Sequence, residues 1–113
     1  MKNDVKAKGL DECPFETAVD VIGGKWKPQI LYYLLDGTKR FSELKRLLPG
    51  VTQQMLTQQL RQLEGDGIIL RRVYAVVPPK VEYSLTDEGH KLKPVIHLME
   101  NWGRQYLKKK RID

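Results

Sequence analysis

Leucines recur at helical spacing over the middle of this chain, twice in quick succession. In the stretch 42–63, SELKRLLPGVTQQMLTQQLRQL, Leu44, Leu47 and Leu48 fall at i, i+3, i+4. Leu56, Leu60 and Leu63 fall at i, i+4, i+7, with Met55 beside them. Each set marks one buried helical face. Pro49-Gly50-Val51 separates them: proline and glycine stop the first helix, and Thr52 can cap the second by accepting a backbone N–H. Two helices joined by so short a turn cross steeply, which predicts a helix-turn-helix.

The same reading places the remaining elements. Residues 1–12 are polar and patternless and are expected to form a flexible arm, leaving 13–113 as one domain. A helix is predicted from Cys13-Pro14, with proline in its first turn and an apolar stripe of Phe15, Ala18, Val19 and Ile22 up to Gly23-Gly24. A second opens at Trp26-Lys27-Pro28, buries Ile30, Leu31, Leu34 and Leu35, and ends at Asp36-Gly37. Thr38 to Phe41 reads as a one-rung strand, after which Ser42 is expected to cap the next helix. Gly65-Asp66-Gly67 stops the glutamine-rich helix. Ile68 to Tyr74 and Lys80 to Leu85 then read as two strands, with Pro78-Pro79 at the hairpin tip because proline cannot donate to a sheet ladder. From Thr86-Asp87-Glu88 a last helix is expected to run to about Lys110, kinked at Pro94, with Leu92, Val95, Ile96, Met99, Trp102 and Tyr106 along one stripe. The order predicts a mainly α fold with a small β-hairpin wing (α+β), a winged helix-turn-helix.

The outer face of the second leucine helix changes the picture from fold to chemistry. Gln53, Gln54, Thr57, Gln58 and Arg61 point away from the leucines, and none is acidic. A solvated helix ordinarily carries Glu–Lys pairs. Amides, hydroxyls and a guanidinium instead suit base edges and phosphates in a DNA groove. A Gln-rich face turned only to water is the plainer reading. Charge distribution favours the first. Net charge is +6, and between Lys25 and Arg61 seven basic residues stand against two acidic ones, while the rest of the chain is nearly neutral. Such a local excess displaces counterions from phosphates.

Composition excludes other classes. The 113 residues carry 41% hydrophobic side chains in regular patterns, which argues against disorder. No apolar run approaches a membrane span and no secretory signal precedes the domain, so a cytoplasmic protein without membrane attachment is expected. One cysteine and two histidines are too few for a structural zinc site; neither metal nor cofactor is expected.

Many ordered residues match one family. They are Cys13-Pro14, Gly24-Lys25-Trp26, Asp36-Gly37, the runs 40–44 (RFSEL) and 48–50 (LPG), and 56–64 (LTQQLRQLE). Gly67-Ile68-Ile69, Arg72-Val73-Tyr74, the run 78–86 (PPKVEYSLT), Gly89 and Trp102 continue the match. The chain resembles the HxlR-type transcriptional regulators, a branch of the MarR-like bacterial winged-helix proteins. The resemblance implies a dimeric, sequence-specific DNA-binding regulator without enzymatic activity, in a bacterial or archaeal cytoplasm.

Roles can then be assigned. Gln53, Gln54, Thr57 and Gln58 are the base-edge candidates, with Thr52 a cap first and a phosphate contact second. Arg61, Lys39, Arg40, Lys45 and Arg46 are phosphate clamps or a solvated rim. Arg71 and Arg72 are adjacent in a strand and cannot reach one groove together. The resemblance brings the wing to phosphate or the minor groove, with Lys80 best placed, whereas Arg72 could be a structural ion-pair partner. Phe15 and Val19 with Leu92, Val95, Ile96, Met99, Trp102 and Tyr106 form the expected homodimer interface of the terminal helices, so that two reading helices meet an inverted-repeat operator, as in a repressor. Cys13, at a helix start, is the one candidate redox or electrophile switch; the alternative is a quiet thiol. Its partner in any disulfide must be a second subunit's Cys13 or a small thiol. Two other functions compete: a winged helix used only for protein interaction, and a thiol enzyme built on Cys13. The effector is not legible.

Overall fold

The computed structural model describes residues 12–112, so the arm expected over 1–12 lies, Glu12 aside, outside the described residues. Helix α1 spans Pro14–Ile22 and ends with the Gly23 N–H returned to the Val19 carbonyl. Helix α2 spans Lys27–Leu34, with Pro28 in the first turn, where a missing N–H costs nothing. Then follow β1 (Lys39–Arg40), α3 (Phe41–Leu47), α4 (Gln53–Gly65), β2 (Ile69–Tyr74) and β3 (Lys80–Leu85). The single turn α5 (Asp87–His90) and the long α6 (Lys93–Ile112) complete the order.

The three strands make one antiparallel sheet in the order β1-β3-β2. Tyr83 on central β3 pairs with Lys39 and Arg71, and Glu82 pairs with Arg40 and Arg72. Side chains alternate across a strand, so Lys39, Tyr83 and Arg71 share one face and Arg40, Glu82 and Arg72 the other. The first face also carries buried Ile69 and Leu85, and it packs on the helices. Ile30, Leu31 and Leu34 of α2 meet Leu44 of α3, Leu48 of the turn and Leu56, Leu60 and Leu63 of α4 in one solvent-free core. Each such leucine stabilises the fold by about 1.5–3 kcal/mol relative to exposure. That core fixes which side of α4 faces out.

The structure departs from the sequence reading in three places. Arg40, not Ser42, stands at the start of α3: its backbone N–H donates to Glu43 Oε1 at 2.8 Å, the carboxylate half of a capping box, and Ser42 lies inside the helix. Helix α3 therefore begins earlier, and Leu47 turns outward while Leu44 and Leu48 stay buried. The last helix is not one kinked rod. Pro94 has no N–H for the His90 carbonyl and its ring crowds that position, so the chain breaks at Lys91-Leu92 and Pro94 falls in the first turn of α6. Leu92 and Ile96 face inward: Ile96 belongs to the core and Leu92, half-buried, packs against it, so the outward stripe runs without them.

Candidate nucleic-acid interface

Helix α4 is capped at its first turn, where Thr52 Oγ1 accepts the Met55 N–H at 3.0 Å. With the leucines turned inward, Gln53, Gln54, Gln58 and Arg61 are exposed and Thr57 is half-buried. With Gln62 they line one continuous patch along the helix. The first carboxylate of α4 is Glu64, near its C-terminal end.

A groove of about 430 Å³ separates α4 from the wing. Gln53, Thr57, Arg61 and Glu64 line it from the helix, Arg71, Val81 and Tyr83 from the hairpin, and Phe41 and Leu60 complete the lining. Two guanidinium-bearing residues thus enter one groove from its two walls, with one carboxylate-bearing residue beside them. Gln62, Glu64, Val81 and Tyr83 were not singled out from sequence. The i, i+4, i+8 continuation from Gln54 through Gln58 to Gln62 was the available signal for the first.

The remaining basic candidates are distributed unevenly. Arg40, Lys45 and Arg46 are exposed and Lys39 is half-buried. Arg72 lies on the sheet face away from the groove, in register with Glu82. Lys80, expected to reach outward from the wing, is folded back. Its Nζ lies 3.7 Å from Glu82 Oε2 and 4.5 Å from the centre of the Tyr74 ring. Glu82 is two residues along the same strand, on the same face, which makes that return the short path. Lys27, counted in the local basic excess, is buried at 5% exposure.

The terminal helices carry a different surface. Phe15 (75% exposed) and Val19 stand out from α1; Val95, Leu98, Met99, Trp102 (66% exposed), Tyr106 and Leu107 stand out from α6. The rings of Trp102 and Tyr106 stack at 5.1 Å. Leu98 falls outside the sequence stripe because that stripe runs through Ile96, and Leu107 lies beside the stripe rather than on it. Drawn from Val95 it reads 95, 98, 99, 102, 106, the helical period. Helix α6 is tied to α2 by the Tyr32 hydroxyl, which donates to Glu100 Oε2 at 3.0 Å, while Arg104 Nη2 donates to the same oxygen at 3.1 Å. The hydrogen bond to Glu100, then its charge, hold the Tyr32 hydroxyl above its ordinary pKa of 10.0. Cys13 is exposed at the start of α1, and its side chain makes no capping hydrogen bond. Among the described residues no three His, Cys, Asp or Glu side chains converge as a metal site requires, and no helix is long and apolar enough to cross a membrane.

The family model described as HxlR-like helix-turn-helix matches residues 21–111, four-fifths of the chain and all of the architecture above from the end of α1 onward. The chain belongs to the HxlR-like helix-turn-helix family. Its relatives in that family include the HTH-type transcriptional regulator YdeP of Bacillus subtilis (strain 168), 56% identical over 97% of this chain and 84% of its own length. The solved structure of the redox regulator HypR in its reduced form superposes with a TM-score of 0.83, 50% identity, and coverage of 89% of this chain and 100% of that one. HypR in its oxidized form superposes at 0.80 with 56% identity over 82% of this chain and 96% of its own. This HxlR-family chain is accordingly a helix-turn-helix transcriptional regulator with a three-stranded winged-helix body.

Proposed function

We propose that this regulator is a repressor that binds an inverted-repeat operator in double-stranded DNA as a homodimer. The observation that carries the reading is the outward face of α4, where every leucine is turned inward and amides, a hydroxyl and a guanidinium remain. Its N-terminal half enters the major groove, where a glutamine can pair bidentately with adenine. Gln53, Gln54, Thr57 and Gln58 read bases. Arg61 and Arg71 hold one stretch of phosphate backbone from both sides, and Lys39, Arg40, Lys45 and Arg46 flank it; such contacts position the protein without specifying sequence. Arg72, on the opposite sheet face, serves the rim, and Lys80 braces the hairpin. Two copies join through the apolar faces of α1 and α6, which sets their α4 helices one helical turn apart, about 34–36 Å. Occupancy of the operator is then sufficient for repression.

A gel-shift against duplexes from upstream of the chain's own gene tests this. Sequence-preferring binding is expected to fall roughly 10³- to 10⁵-fold between 50 and 200 mM salt if about six to ten phosphates are contacted. Replacing Gln53, Gln54 and Gln58 together by alanine is expected to erase the preference and leave the dimer intact. A preference that survives the triple replacement sinks the reading.

A second reading, regulation through Cys13, is favoured by the thiol's exposure close to Phe15 of the pairing face and by the likeness to the redox regulator HypR. Two Cys13 thiols and one peroxide would give one intersubunit disulfide and two waters. Peroxide should then change DNA affinity in the native chain and not in Cys13→Ser; equal responses dismiss it.

A further inference from the structure

The wing ends in a turn without a polar side chain. Ala75, Val76, Val77, Pro78 and Pro79 follow one another, all are exposed, and Val77 is 99% exposed. Surface turns ordinarily draw on Gly, Asn, Asp and Ser, whose conformational freedom or side-chain hydrogen bonds suit them to it. Two valines have neither, and two prolines also remove two backbone donors. The nearest cation, Lys80, is directed back to Glu82 and Tyr74. Through its side chains this tip offers only apolar contact.

What it meets follows from the groove between α4 and the wing, on the DNA-binding reading above, on which this inference rests. With α4 in the major groove, the groove lined by Arg61 and Arg71 takes the phosphodiester strand that borders it. Across one backbone from the major groove a duplex presents its minor groove. The hairpin that forms the far wall therefore extends over that minor groove. We propose that Val77 packs into the minor groove flanking the bases read by α4 and selects A·T pairs there. Guanine carries its N2 amino group in this groove, whereas adenine presents a C2–H at the same place. A valine methyl packs against the C–H. Over guanine it covers a donor for which it has no acceptor, and an unpaired donor removed from water weakens binding. Apolar side chains placed at minor-groove steps also favour bending of the duplex.

Selection from a randomised DNA duplex library, read by sequencing, tests this with the full chain, Val77→Ser and Val77→Ile. The native chain is expected to enrich a core motif and, about five base pairs or half a turn away, A·T pairs. Val77→Ser should keep the core motif, lose the flanking A·T enrichment and bind the selected duplex about tenfold more weakly. Val77→Ile should retain the enrichment. A core motif without flanking A·T, or a flanking preference unchanged in Val77→Ser, overturns the proposal and leaves the DNA-binding reading standing. A smaller sedimentation mass for Val77→Ser with its base preference intact also overturns it, in favour of a contact between copies. If the native chain selects no motif, both readings fall.

Discussion

Helices α4 and α6 solve the same packing problem with opposite outward faces. Both turn aliphatic side chains into one shared core, Leu56, Leu60 and Leu63 from α4 and Ile96 from α6. What each leaves outside differs: uncharged polar groups with a guanidinium on α4, and Leu98, Met99, Trp102 and Tyr106 on α6. A glutamine is readily hydrated and releases water only to a matching hydrogen-bond partner. An exposed tryptophan–leucine face gains simply by leaving water. The first suits selective recognition, the second strong and less selective association. The inward halves of the two helices say how the chain folds; the outward halves say what it does.

Leu98→Glu with Trp102→Glu should give a monomer by sedimentation and, by removing the second half-site, lower operator affinity about 10²- to 10⁴-fold. The fold should persist, because neither side chain is in the core. Leu60→Ala tests the shared interior and should cost about 2–5 kcal/mol in denaturant unfolding whether or not DNA is present. On the α4 side, Gln54→Ala should weaken operator binding by about 1–3 kcal/mol, one bidentate pair, with unfolding stability unchanged. Thr52→Ala removes only the cap, and about 1 kcal/mol of stability is expected to go with it.

The smallest effect concerns the bond between α2 and α6. Tyr32 is raised above 10.0 mainly by its hydrogen bond to Glu100. A raised value means that the folded state holds the phenol proton more tightly than the unfolded chain does. The added stability is thus complete below the ordinary value and is lost as pH rises through the folded one. In an absorbance titration of phenolate, Glu100→Gln should move the Tyr32 step downward.

Most of the body was legible because its signals are local and redundant. Proline and glycine bracket α1 and α2, alternation marks the strands, and the leucine spacing of α4 orients its glutamines outward. Tertiary detail was not legible where one residue could serve two surfaces. Ile96 and Trp102 have the same apolar character; six residues apart on one helix they stand about 120° apart, and only the packing of α6 on α2 decides which of them turns inward. Lys80 is similar: a lysine near a hairpin tip reads as reaching outward until Glu82 and Tyr74 are seen on the same face of the hairpin. Arg71 was separable from Arg72 by strand alternation alone, but which of them faces α4 required the register.

The break at Lys91-Leu92 has a mechanical consequence. Helix α6 is a stiff rod of 20 residues, about 30 Å long at 1.5 Å per residue. In a pair held together along such rods, tilting one by about 5° about its foot moves the far end by about 2.6 Å, nearly one base-pair step in a duplex of 3.4 Å rise. Any contact that shifts the angle between two such rods, at any point along their length, therefore changes the match to DNA without touching a single glutamine.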